Sequence, residues 1–384
     1  MQFEFATATR IIFGPGVSSQ AASLAKDLGR TALVITGQNP RRAEWLVDAL
    51  RKEGISAQIF SVSGEPEIKT IVEGIGLAKR QNCDLVVSIG GGSVIDTGKA
   101  IAVMLTNGGE LPDYLEVIGS AKPLTKPSAP FIAIPTTAGT GSEVTRNAVL
   151  ASPEHRVKVS LRSPHMLPKI ALVDPELTFE LPPTITAFTG MDALTQLIEP
   201  YVCSRANPIT DALCREGIPR VARSLSVAFS DGPNANAREE MSLASLFGGL
   251  ALANAGLGAV HGFAGPIGGM FSAPHGAICA TLLPHVMKAN LSALRNRQPQ
   301  SPILSRYDKV ARLLTCNEKA KADDGVEWVH SLLPDLEIPR LSSYGIGFEH
   351  IAELVEKASN ASSMNANPIT LSTSELTDIL KSAL

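Results

Sequence analysis

Three histidines, His261, His275 and His285, fall within 25 residues of one another, and imidazole is the commonest metal ligand in proteins. Upstream, the run Gly190-Met191-Asp192-Ala193-Leu194-Thr195-Gln196 carries a carboxylate and a carboxamide four residues apart, so on a helix they share a face. One carboxylate and two imidazoles on separate elements can form a facial triad with open positions, which suits Fe(II) and also accommodates Zn(II). Spacing alone does not join them, because histidines 14 residues apart are more often unrelated. A different chemistry sits at Gly90-Gly91-Gly92-Ser93, between an apolar strand and a run with helical spacing. Such a turn exposes backbone N–H groups beside the positive end of a helix, where a pyrophosphate fits; a plain capped turn is the alternative. Ser93 and Asp96 have the spacing of a capping box, which predicts a helix start there. A second polar loop, Pro135 to Glu143, brings Thr136, Thr137, Thr140 and Ser142 to the end of a strand, either as a ligand loop or as the cap of the next helix.

These groups need a scaffold, and the first 180 or so residues read as alternating strands and helices. Thr31–Ile35, Ala57–Val62, Asp84–Ile89, Phe131–Ile134 and Ile170–Val173 are strand-like, with the last closing the sheet. Arg41–Arg51 and Glu67–Gln81 have helical spacing. The near-continuous apolar run at 84–89 requires a strand buried on both faces. The order predicts a parallel, doubly wound α/β sheet. Thr106–Pro130 reads as a long surface excursion. Beyond Leu181-Pro182-Pro183 the periodicity turns helical, which places a boundary near 180. Residues 1–180 then form an α/β domain and 181–384 an all-helical domain.

Composition narrows the function classes. The chain has 384 residues, too many for one ordinary core and suited to two domains. With 34 basic and 37 acidic residues and a net charge of -3, nucleic-acid binding has no electrostatic support. No run of 18 or more apolar residues predicts a membrane span, and the N-terminus lacks the order of a signal peptide. The five cysteines, Cys83, Cys203, Cys214, Cys279 and Cys316, are scattered and show no CxxC pairing. They read as reduced thiols in a cytoplasm, mostly small buried residues, without a thiolate zinc site. Phe3, Phe5 and Ile11-Ile12-Phe13 could pair across a homodimer.

Together the motifs carry a resemblance. Gly90-Gly-Gly-Ser-Val-Ile-Asp96, the 135–143 loop, Leu172-Val-Asp-Pro175, Gly190-Met-Asp-Ala193, and the block from Gly256 through His261-Gly262 and Pro274-His275-Gly276 to Leu283-Pro-His285 occur in order. Over essentially its whole length the chain resembles the iron-dependent (group III) alcohol dehydrogenases, which share their architecture with dehydroquinate synthase. The resemblance implies reversible alcohol oxidation by hydride transfer to NAD or NADP, assisted by Fe(II) or Zn(II), in a cleft between two domains. It implies that Gly91, Gly92 and Ser93 hold the pyrophosphate, that Thr136, Thr137 and Thr140 lie along the cofactor, and that Asn147 and Lys158 stand nearby. The family's metal ligands fall on Asp192, Gln196, His261 and His275, while His285 matches without being a ligand.

Three positions depart from the family pattern. Gln196 replaces a usual histidine, and a neutral carboxamide oxygen is a weaker donor. Pro200 also lacks the N–H that would bond the carbonyl of residue 196. Gly265 stands where some relatives carry a proton-relaying histidine. Gly37 stands where NAD-preferring relatives carry an aspartate, so a 2′-phosphate meets no repulsion and Arg41 or Arg42 could attract it. An oxo-acid reductase of the maleylacetate type, a carbon–oxygen lyase and a decayed nucleotide-binding protein are the rival readings. The substrate expected is a small alcohol or aldehyde.

Overall fold

The computed structural model describes residues 2–384. The N-terminal part runs β1 (Arg10–Phe13), α1 (Ala21–Ala25), β2 (Thr31–Thr36), α2 (Glu44–Lys52), β3 (Ser56–Ser61), α3 (Ile68–Arg80), β4 (Leu85–Gly90) and α4 (Gly92–Thr106). It continues with β5 (Phe131–Pro135), β6 (Asn147–Ser152), β7 (Val157–Arg162) and β8 (Ile170–Val173). Six strands form one parallel sheet in the order β1-β8-β5-β4-β2-β3. Every residue of β4 is buried, as its unbroken apolar sequence requires, and apolar layers cover both faces of the sheet. From β2 the chain turns outward to β3; from β4 it turns the opposite way to β5. The ends of β2 and β4 therefore form a topological switch point, the place where such sheets bind ligands.

Three expectations need correction. Strand β8 does not close the sheet, because β1 pairs beyond it, Arg10 against Ile170 through Phe13 against Val173. Ile11 to Phe13 thus have one strand partner within their own chain, and the other side of β1 is an edge of the sheet. The segment 147–162 forms an antiparallel hairpin, Asn147 opposite Arg162, that the sequence reading did not contain. Finally, Ser93 and Asp96 make no capping box: Gly91 is the N-cap residue of α4 and no side chain caps it. Asp96 is occupied elsewhere. It accepts hydrogen bonds from the Ser142 hydroxyl and the Val149 N–H (2.9 Å) and pairs with the buried Lys99 at 2.9 Å. Lys99 donates in turn to Thr145 Oγ1 (2.8 Å) and the Asn147 carbonyl, so this polar network ties α4 to the hairpin. Burial lowers the Lys99 pKa against the pull of Asp96, and it raises Glu143 in the neighbouring loop to about 7.

The C-terminal part contains α5 (Pro183–Val202), α6 (Pro208–Ser230), α7 (Ala235–Asn254), α8 (Ala259–Met270), α9 (His275–Arg297), α10 (Pro302–Thr315), α11 (Ala322–Asp335), α12 (Ile351–Ser359) and α13 (Thr373–Ala383). The chain divides into two compact units, residues 6–137 with 141–178, and residues 179–384 with 138–140 and 2–5. In the helical unit α5 is the central element, with every residue from Gly190 to Val202 buried. Among the described residues α9 alone is long and apolar enough to cross a membrane. However, 78% of its apolar window is buried inside the protein, as in a core helix.

Candidate functional site

Helix α5 presents Asp192, Gln196 and Glu199 from one face, at i, i+4 and i+7. Helix α8 brings His261 from its first turn, and α9 begins at His275. The approach of α9 depends on Gly276, because a Cβ there would stand 2.1 Å from the Phe188 carbonyl oxygen on α5. The helix packing brings together residues that are up to 87 positions apart. Asp192 Oδ1 lies 3.4 Å from His261 Nε2 and 3.6 Å from His275 Nε2. Cys279, one turn beyond His275, places its Sγ 3.9 Å from His261 Nε2 and 3.7 Å from His275 Nε2. Donor atoms of Asp192, His261, His275 and Cys279 all fall within 4.8 Å of one another, and the group could hold a metal ion.

Two features show that the residues fit a cation. Asp192 Oδ1 and Gln196 Oε1 are buried acceptors with no hydrogen-bond partner, an arrangement that is costly unless something positive completes it. The donor set, a carboxylate, two imidazoles and a thiol, consists wholly of metal-binding groups. His275 is 35% exposed, against 3% for Asp192 and 7% for His261, so the cluster opens on the His275 side. Burial opposes charge throughout the cluster, but mutual attraction outweighs it. The imidazoles are held above their ordinary pKa by Cys279 and Asp192, while the Asp192 carboxyl and Cys279 thiol are held below theirs by the imidazoles.

Glu199 supports this arrangement. Its Oε2 accepts from His261 Nδ1 at 2.6 Å and its Oε1 accepts from the Val260 N–H at 2.7 Å. When the ring is neutral, as a metal ligand must be, this bond keeps the proton on Nδ1 and turns the Nε2 lone pair to the cluster. The Ala259 N–H donates to Asn367 Oδ1 (3.1 Å), so side chains distant in sequence satisfy the start of α8, whose N-cap residue Gly258 offers none. His285 lies outside the cluster. It stands edge-on to His330 with ring centroids 6.3 Å apart, and burial pushes its pKa down to about 4.

In the sheet unit, the Gly91 and Thr136 loops lie side by side, with Gly90 in register with Pro135 and the Thr136 N–H donating to the Gly90 carbonyl at 3.0 Å. A Cβ on Gly91 would press on Thr137 at 3.3 Å. Gly92 and Ser93 open α4, so their N–H groups stand at a helix N-terminus beside Thr136 and Thr137. Gly37 follows β2 across the switch point, and a Cβ there would meet nothing within 4 Å. Thr140 belongs to the helical unit. The Asn147 backbone joins the Lys99 network, and Lys158 on β7 pairs with Glu65 at 2.9 Å. Around Gly265 there is open space for a side chain.

The model of the iron-containing alcohol dehydrogenases matches residues 8–175, and that of their C-terminal part matches residues 186–384. The chain belongs to the iron-containing alcohol dehydrogenase family. It is 36% identical over 379 residues to alcohol dehydrogenase 4 of Schizosaccharomyces pombe, which covers 97% of this chain and 87% of that one. The crystal structure of a 1,3-propanediol oxidoreductase superposes with a TM-score of 0.92 at 34% identity and 100% coverage of both chains. A sulfoacetaldehyde reductase from Bifidobacterium kashiwanohense, solved in complex with NAD+, gives a TM-score of 0.88 at 28% identity, covering 100% of this chain and 99% of that one. The chain is therefore an oxidoreductase of the alcohol dehydrogenase type, and its sheet and helical part follow the fold of that family.

Two residues of the site are ones that sequence reasoning missed. Cys279 reads in sequence as a small buried residue, yet its sulfur belongs to the donor cluster. Glu199 carried no signal of its own. Its i+7 relation to Asp192 is the cue, and it becomes visible only once that face of α5 is known to carry the site.

Proposed function

We propose that the protein interconverts small alcohols and aldehydes with NAD or NADP, using a divalent cation held by Asp192, His261 and His275. The unpartnered Asp192 Oδ1 between two imidazole nitrogens carries this reading. Such a cation, Fe(II) by family or Zn(II) by donor chemistry, supplies a Lewis acid that favours the alkoxide and polarises the carbonyl. The protein does the rest. Glu199 holds the His261 tautomer, and the exposed side of His275 admits the substrate. The N-terminus of α4 at Gly92 and Ser93, reached closely because Gly91 has no side chain, binds the pyrophosphate, with Thr136 and Thr137 alongside. Thr140, Asn147 and Lys158 belong to the same reading as cofactor-side residues. Gln196 is a weak donor beside Asp192.

The NAD+ complex of the sulfoacetaldehyde reductase supports a nicotinamide cofactor. Acceptance of NADP follows from the open space at Gly37 and the exposed Arg41 close behind it. A homodimer and a reducing cytoplasmic setting complete the proposal. They draw on the outer side of edge strand β1, the exposed Phe3 and five free thiols. The test is a panel of alcohols and aldehydes with both cofactors, before and after metal stripping and reloading. Activity that disappears on stripping and returns with a divalent ion supports the reading, whereas full activity in stripped protein rejects it.

A further inference from the structure

We infer that Cys279 Sγ is itself a ligand of the bound cation, so that this chain's centre is an Asp192–His261–His275–Cys279 tetrad in place of an all-nitrogen-and-oxygen set. The inference rests on the metal reading above and deepens it. A tetrahedral ion with nitrogen and oxygen ligands at about 2.0–2.1 Å and sulfur at about 2.3 Å spaces its nitrogen and oxygen donors about 3.3–3.4 Å apart and its sulfur about 3.5–3.6 Å from each of them. The edges from Asp192 Oδ1 to the two imidazoles are 3.4 and 3.6 Å. Those from Cys279 Sγ to the same nitrogens are 3.9 and 3.7 Å, a few tenths of an ångström from that figure. Four edges of the polyhedron are thus nearly in place, and Asp192 Oδ1 points into it with no other partner.

The geometry also follows from the sequence. Cys279 is four residues after His275, so α9 turns both side chains to the same face. At Gln196, where the family usually has an imidazole, this chain offers only a neutral carboxamide, and the sulfur supplies a strong donor from another helix. Metal binding needs a thiolate and two neutral imidazoles, so the protons that Cys279, His261 and His275 hold at the ligating atoms pass to solvent. A thiolate in the set also draws the site towards Zn(II).

The experiment uses the full-length protein, stripped of metal and reloaded anaerobically with Co(II). Bound cobalt is quantified by elemental analysis, and ligation is read from the absorption spectrum. The wild type is expected to bind Co(II) and to show a sulfur-to-cobalt charge-transfer band in the near ultraviolet. Cys279→Ser and Cys279→Ala are expected to keep visible cobalt bands from the remaining ligands, lose the charge-transfer band, and release Zn(II) to a chromophoric chelator at least tenfold more readily, the minimum that loss of an outer partner costs. Gln196→Ala should keep the band. Bound cobalt with no such band in the wild type, or a band unchanged in both Cys279 variants, would overturn the inference while leaving the metal centre intact. If the wild type and Asp192→Asn bind equally little cobalt, the metal reading itself fails.

Discussion

Replacing Glu199 by glutamine tests how the helical unit prepares its imidazole. In the wild type one carboxylate accepts from two donors at once, His261 Nδ1–H at 2.6 Å and Val260 N–H at 2.7 Å. Glutamine keeps the size but has only one acceptor oxygen. If that oxygen stays with Val260, its NH2 group faces His261 Nδ1, which must then accept; the imidazole proton moves to Nε2 and blocks the nitrogen aimed at Asp192. Loss of an outer partner of this kind lowers metal affinity about 10–100-fold, or roughly 1.4–2.7 kcal/mol. The fold should barely change, since the Val260 bond survives. Glu199→Ala goes further. It leaves the buried Val260 N–H unpaired at about 1–3 kcal/mol, and in a unit of this size each kcal/mol is roughly 2–4 °C of Tm. Zn(II) competition with a chromophoric chelator and thermal unfolding, run on both variants, separate the two effects. A glutamine variant with wild-type metal affinity would refute the tautomer argument.

Gly276→Ala drives a Cβ into the Phe188 backbone, so α9 must shift away from α5. The expected result is an overpacking cost of about 1–3 kcal/mol together with reduced metal content, and unchanged values of both would contradict the close approach. Gly37→Asp adds a carboxylate where there is room for one. Repulsion of a 2′-phosphate by about 1–4 kcal/mol at 4 Å should raise the NAD-to-NADP ratio of kcat/KM about fivefold or more, and an unmoved ratio would reject the role of this position. His285 gives a pH signature. Its folded pKa is about 4 against an ordinary 6.5, so the unfolded chain takes up the proton first. That contribution to stability is complete above about 6.5 and is lost as pH falls towards 4. Tm of His285→Gln should therefore decline less over this window than wild type, and parallel curves would refute the assignment.

Much of the scaffold is legible because local physics dictates it. The apolar run at 84–89 can only be a strand covered on both faces, and three glycines followed by helical spacing can only lead into a helix start. What escaped depends on contacts between residues distant in sequence. Asp96 has the spacing of a cap, but Ser142, Val149 and Lys99, 46, 53 and 3 residues away, claim its carboxylate instead. The hairpin at 147–162 alternates buried and half-buried positions, yet its turn lacks an Asn-Gly signal and uses Arg156 at positive φ. Asp192 and Gln196 are visible as a helical pair. The meeting of His261 and His275 depends instead on how α8 and α9 pack on α5, which no spacing rule contains. Cys279 and Glu199 follow by one-turn offsets once that packing is known.

The central claim is that Asp192, His261 and His275 grip one divalent cation. Anomalous diffraction from crystals of the metal-loaded protein tests it directly. A single strong peak about 2.0–2.2 Å from Asp192 Oδ1, His261 Nε2 and His275 Nε2 is the predicted result. Full metal occupancy with the peak elsewhere, or the same peak persisting in Asp192→Ala, would contradict it.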